Sequence, residues 1–131
     1  MSDIKLVAAA IDAMRKGYAP YSQFQVGAAI RDEQGIVHVG ANVENAAYPQ
    51  GVCAEASAIS AMVVAGGQKI QAIAIAGSGE HLCTPCGGCR QRIREFANGD
   101  AVIIIADEIS ERARFTLATL LPHSFGPENL G

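Results

Sequence analysis

A chain of 131 residues is the size of one domain, residues 1–131, and can bury most of the surface that its unfolded form exposes. Half of its residues are hydrophobic and 18% are charged, which excludes intrinsic disorder, and no apolar run approaches the roughly 20 residues of a membrane-spanning helix. The net charge of −3, with basic residues scattered apart from Arg90, Arg92 and Arg94, argues against a nucleic-acid groove and for a small ligand as partner.

In chain order, Ser2 can cap a helix that runs to Gly17, with Ile4, Val7, Ile11 and Met14 at helical spacing. From Phe24 the period changes to two. Val26, Ala28 and Ile30 share one face, Asp32-Glu33-Gln34-Gly35 reads as a hairpin turn, and 36–43 is the returning strand. Helical spacing resumes over 53–65 and ends at Gly66-Gly67. The segments 70–76 and 101–106 are almost wholly apolar, as strands covered on both faces are. A helix over 86–97 lies between them, and a short apolar helix over 115–121 precedes a tail with proline and glycine. This order suits a mixed sheet flanked by helices. The opening Met-Ser-Asp-Ile-Lys lacks the charged-then-apolar layout of a secretory signal, so a cytoplasmic location is expected.

Three of the four cysteines, Cys83, Cys86 and Cys89, fall within seven residues, and Cys53 stands alone. In a reducing compartment clustered cysteines are more often metal-binding or catalytic than disulfide-bonded. Thr84 can cap a helix with Pro85 at its first position, which puts Cys86 and Cys89 on one face of the first turn. A helix N-terminus favours thiolates, so both can bind zinc. Cys53, at the start of another predicted helix, is the candidate third ligand. Glu55 is two residues on, so it does not share that face and can aim at an open coordination position instead. Three protein ligands with water as the fourth mark a catalytic zinc, and Glu55 is the candidate general acid–base.

Other readings of these residues exist. Four thiolates, or three with His81, could close a structural zinc clip, and Cys83-x-x-Cys86-x-x-Cys89 resembles part of a ferredoxin spacing. Neither gives Glu55 a purpose. Cys83 reads as a partly buried loop thiol and His81 as solvent-facing, with His38 and His123 weaker candidates still. Gly77-Ser78-Gly79 lacks the lysine of a phosphate loop.

The combination Cys53-Ala54-Glu55 with Pro85-Cys86-x-x-Cys89 is the pattern of zinc deaminases. From these residues outward the chain resembles the small cytidine deaminases. The resemblance runs through Tyr18-Ala-Pro-Tyr-Ser22, Phe24-Gln-Val-Gly-Ala28, Asn42-Val-Glu-Asn-Ala-Ala-Tyr48, Cys89-Arg-Gln91 and Leu120-Leu-Pro122 into the tail. It implies a three-layer α/β/α sandwich with a mixed five-stranded sheet, one Zn2+ per subunit, and a cytoplasmic homotetramer that hydrolyses cytidine or deoxycytidine in pyrimidine salvage. It also implies residue roles. Asn42 and Glu44 bond the ribose 3′-hydroxyl, Phe24 packs on the nucleoside, Glu55 meets a ring nitrogen, and the backbone at Ala54 reads the pyrimidine. Tyr48 and Phe125 match residues lent to a neighbouring subunit's pocket. A deaminase of modified cytosine nucleosides, or a non-catalytic zinc protein that binds a nucleoside, are the competing functions.

One position departs from the pattern. Members with three cysteine ligands usually carry arginine after Cys-Ala-Glu, where it bonds a ligand sulfur. Here Ala56 stands there. Three thiolates outweigh a dication by one charge, so nearby positive charge is needed to offset them. Arg90, beside Cys89, is the candidate for that compensation.

Overall fold

The computed structural model describes residues 3–131. The first helix, α1, covers Asp3–Met14, and Ser2, its expected cap, lies outside the described residues. An antiparallel hairpin of β1 (Val26–Asp32) and β2 (Val37–Ala41) follows. Asp32 shapes its turn by accepting backbone N–H bonds from Gln34 and Ile36 on one oxygen, 2.8 and 3.0 Å away. Then come α2 (Ala54–Val64), β3 (Ile70–Gly77), α3 (Gly87–Phe96), β4 (Val102–Ala106), β5 (Glu111–Thr116) and the short α4 (Leu117–Leu120). The five strands form one mixed sheet in the order β2-β1-β3-β4-β5, parallel only between β3 and β4. The parallel pair is the one joined through a helix, as a parallel connection requires.

Composition decides which helix covers which face. Along β3 the residues Ala72, Ala74 and Ala76 meet Leu6, Val7, Ala10 and Met14 of α1. On the opposite face Ile73 and Ile75 join Ile103, Ile105, Ala58, Met62 and Ile93 beneath α2 and α3. Small residues let α1 approach closely, whereas isoleucine fills the wider layer. Each such fully buried isoleucine contributes about 2 kcal/mol. Two glycines fix the crossings. A Cβ at Gly27 would sit 2.2 Å from the carbonyl oxygen of Ala10, and one at Gly40 would sit 2.3 Å from the amide nitrogen of Ala58. Gly40 thereby lets α2 lie directly on β2. One helix below the sheet and three above make the α/β/α sandwich.

Two expectations need correction. Ile4 belongs to the apolar stripe by spacing but is 82% exposed, since the buried face of α1 centres on Leu6, Ala10 and Met14. The segment expected to be a helix from 115 is strand to Thr116 and helix only over Leu117–Leu120. Phe115 pairs with Ile103, and Ala113 with Ile105, so their side chains join the core while Arg114 and Thr116 face out. In sequence Phe115 runs on into the apolar residues of α4, which masks the period of two in β5. Charged residues along β5 also protect the sheet edge from pairing with another strand. Among the described residues no helix is long and apolar enough to cross a membrane.

Candidate active site and metal centre

Strand directions bring the site together. Gly27 pairs with Ala41 and Val26 with Gly77, so β1 begins at the sheet edge where β2 and β3 end. The chain leaves β2 and β3 there and turns into α2 and α3 on the same face. Both helix N-termini therefore converge. Cys53 is the N-cap of α2 and Cys86 the N-cap of α3. This moves Thr84 and Pro85 outside the helix they were expected to open. Cys86 takes the extended cap conformation and its carbonyl accepts the amide of Arg90 at 2.9 Å. Thr84 lines the cavity instead.

Convergence places Cys53 Sγ 2.9 Å from Cys89 Sγ, and Glu55 completes a group whose ligand atoms all lie within 4.8 Å of one another. Cys89 and Glu55 are buried, at 1% and 5% exposure. Cys86 Sγ lies outside that group. The residue is exposed and lines the same cavity from the rim. Cys83 is partly buried in the cavity wall, and burial pushes its thiol up to about 11, as suits a wall residue rather than a ligand. His81 is exposed, as expected.

The electrostatics follow from crowding. The hydrogen bond from Cys89 holds the Cys53 thiol down at about 5, while the same contact and burial push Cys89 up. Burial raises the Glu55 carboxyl above its ordinary range, with the neighbouring Cys53 charge adding to it. Soft sulfur donors at two helix N-termini, beside a carboxylate with no salt bridge among the described residues, are chemistry that fits zinc.

A cavity of about 670 Å³ opens over these groups, large enough for one small molecule. Phe24, Asn42, Glu44, Tyr48 and Ala54 all line it. The Phe24 ring is seated by missing side chains: a Cβ at Gly79 would lie 2.8 Å from the ring and one at Gly77 would lie 3.2 Å from it. The glycines set aside as a phosphate loop are thus the bed of this ring. Asn42 accepts from Val26 N at 3.0 Å and donates to Phe24 O at 2.8 Å. Glu44 accepts the backbone amides of Tyr21 and Ser22, at 3.0 and 3.1 Å, and the Ser22 hydroxyl. Those bonds hold the carboxyl below the usual carboxylate range, the Ser22 hydroxyl foremost. Both side chains thus brace the segment that carries Phe24. Each also keeps spare bonding capacity, one N–H on Asn42 and a lone pair on Glu44. Tyr48 is 79% exposed at the rim and meets Tyr21 edge-on, with ring centroids 6.4 Å apart. Phe125 is 56% exposed and does not line this cavity.

The charge compensation expected of Arg90 is the clearest correction. Its guanidinium donates to Pro85 O at 2.7 Å and Leu120 O at 2.8 Å, tying the turn before α3 to α4. Arg92 approaches sulfur instead, with Nη1 3.8 Å from Cys89 Sγ.

With this geometry in place, the chain can be set beside known proteins. The family model of the cytidine and deoxycytidylate deaminase zinc-binding region matches residues 1–105. The chain belongs to this deaminase family. Its resemblance to individual members extends over nearly the whole length. A cytidine deaminase of Sporosarcina psychrophila is 39% identical over 126 residues, which are 96% of this chain and 93% of that one. The crystal structure of the Burkholderia pseudomallei cytidine deaminase superposes with a TM-score of 0.89 at 36% identity, covering 95% of this chain and all 100% of that chain. That of Mycobacterium tuberculosis gives 0.81 at 34% identity, over 96% and 98% of the two chains.

Membership brings a zinc-binding region with one ion per chain, and the thiol–carboxylate group is consistent with holding it. Two residues around the site carry no signal recognised in the sequence. Arg92 was legible in principle, because residues three apart on a helix are neighbours and Cys89 lies three before it. Ser22 was not, since its link to Glu44 joins two loops that no periodicity connects.

Proposed function

We propose that the chain hydrolyses cytidine and deoxycytidine to uridine and deoxyuridine: water adds at the ring carbon bearing the exocyclic amine, the C–N bond breaks, and ammonia leaves. The observation that carries this reading is the buried Glu55 carboxylate beside paired thiols on the floor of a cavity of about 670 Å³. Cys53, Cys86 and Cys89 would hold zinc. Zinc supplies a Lewis acid that makes water available as a nucleophile near neutrality. Glu55 takes a proton from the attacking water and delivers one to the departing amine.

The remaining residues position the nucleoside. The Phe24 ring offers a face for the base, Ala54 offers backbone beside Glu55, and Asn42 and Glu44 offer their spare bonding capacity to the sugar hydroxyls. A site built this way rejects free cytosine, because polar groups meant for the sugar would be left unpaired. Reduced thiols in the centre fit a cytoplasmic location.

The active unit in this proposal is a homotetramer with shared sites. Phe125 supports it: this large aromatic is more than half exposed and absent from its own chain's cavity, which leaves it available to a neighbouring subunit. Tyr48, at the rim, would meet that boundary. Absorbance assays of purified protein with cytidine, deoxycytidine, cytosine and cytidine monophosphate test the function. Turnover of both nucleosides with little of the free base is expected, and a zinc-replete protein inactive on both nucleosides refutes it. Light scattering tests the assembly, for which an active monomer is the contrary result.

A further inference from the structure

Six of the seven arginines are engaged by oxygen. Arg15 and Arg90 donate to carbonyls. Arg31, Arg94, Arg112 and Arg114 pair with carboxylates. Arg92 differs. Among the described residues it has no carboxylate within salt-bridge distance, and its hydrogen bond goes from Nη1 to Cys89 Sγ at 3.8 Å. Local structure directs it there. Helical side chains lean toward the N-terminus, so residue 92 lies back over residues 88 and 89. Residue 88 is glycine, and a Cβ on it would stand 3.2 Å from that same Nη1. The guanidinium rests where a side chain would otherwise crowd it.

The charge of the centre calls for such a group. Three thiolates around a dication leave one negative charge in excess, and the position after Cys-Ala-Glu, where the family's usual arginine would stand, is Ala56. We propose that Arg92 replaces that arginine: charge compensation at the sulfur ligands comes from the first turns of α3, at Cys89, instead of from α2. This rests on the zinc-site reading above. Arg92 does not touch the substrate; it is a positioning residue that acts through the metal ligands. Exposure screens it, so the effect is that of an outer partner of a metal site, about tenfold.

Zinc affinity of the loaded enzyme, measured by chelator competition with no nucleoside present, tests this separately from deamination. If the enzyme binds zinc but does not deaminate, the functional reading fails while this comparison still stands. Arg92→Ala and Arg92→Gln are each expected to weaken zinc binding about tenfold at neutral pH, with unchanged melting of the metal-free protein. Ala56→Arg added to Arg92→Ala is expected to restore most of the loss by bringing a guanidinium from α2. Wild-type affinity in Arg92→Ala shows that the contact carries no weight. Wild-type affinity in Arg92→Gln shows that shape rather than charge matters. No recovery in the double variant shows that the two positions are not interchangeable. Any of the three overturns the proposal.

Discussion

Cys53 and Cys89 lie 36 residues apart in the chain, yet their sulfurs are 2.9 Å apart. Neither loop alone brings them together. The contact exists because β2 and β3 end at one edge of the sheet and both following helices start there, on the same face. A single zinc can then be shared between elements that fold from distant segments, and its binding energy adds to the stability of the fold.

Removing sulfur ligands tests the assignment within the cluster. Metal analysis should find about one zinc per chain in the parent protein and in Cys83→Ala, and little in Cys53→Ala, Cys86→Ala or Cys89→Ala. Loss of zinc from Cys83→Ala with retention in Cys86→Ala would exchange the roles of these two residues.

Glu55→Gln keeps the size of a 5% exposed side chain and removes its proton-transfer capacity. Turnover is expected to fall by on the order of a hundredfold or more while zinc stays bound. Steady-state assays on the metal-replete variant check this, and a rate close to that of the parent removes Glu55 from the reaction.

Arg90→Ala acts on stability, by the geometry described above. It removes two hydrogen bonds from a charged donor to the carbonyls of Pro85 and Leu120, which should cost about 2 kcal/mol. Denaturant unfolding of the metal-free protein measures it. A variant as stable as the parent would show that the tie between the turn and α4 is dispensable.

Gly40→Ala tests whether the fold holds the site in place. The added Cβ would meet the backbone of α2, 2.3 Å from Ala58 N and 2.8 Å from Ala54 O. Overpacking of this kind typically costs about 1–3 kcal/mol, and here the helix that must shift carries Cys53 and Glu55 at its start. Lower stability together with weaker zinc binding is expected. Lower stability with unchanged zinc binding would separate the crossing from the site.

The hairpin turn carries its own pH dependence. Asp32 and His38 are buried, at 2% and 7% exposure, and bonded at 2.8 Å. The His38 contact, helped by the Gln34 and Ile36 amides, holds the Asp32 carboxyl below its ordinary 3.8. A depressed carboxyl contributes its stability in full above the unfolded value and loses it as pH falls through the folded one. Asp32→Asn should therefore destabilise the protein by about 2 kcal/mol at pH 7, with the difference shrinking as both proteins are acidified below about pH 4. Unfolding curves at several pH values decide it, and a constant difference would assign the effect to packing.

The sequence alone determined the chemistry of the centre and most of the sheet. Cys53-Ala-Glu55 and Pro85-Cys-x-x-Cys89 are local patterns, each written within a few residues, and so are the apolar runs that became β3 and β4. Local patterns are legible because helix and strand periodicities act over one or two turns. The fifth strand shows how narrow that margin is: Phe115 continues the apolar pattern of the helix after it, yet pairs with Ile103 in β5. Tertiary structure alone decided which arginine contacts the sulfur. Arg90 follows Cys89 directly and Arg92 lies three residues after it, so the sequence allows either side chain to reach the sulfur. Only the fold places Leu120 O within 2.8 Å of Arg90 and leaves Arg92 the space above Gly88. A long side chain has several partners within reach of its backbone, and the choice among them depends on distant segments that no local pattern records.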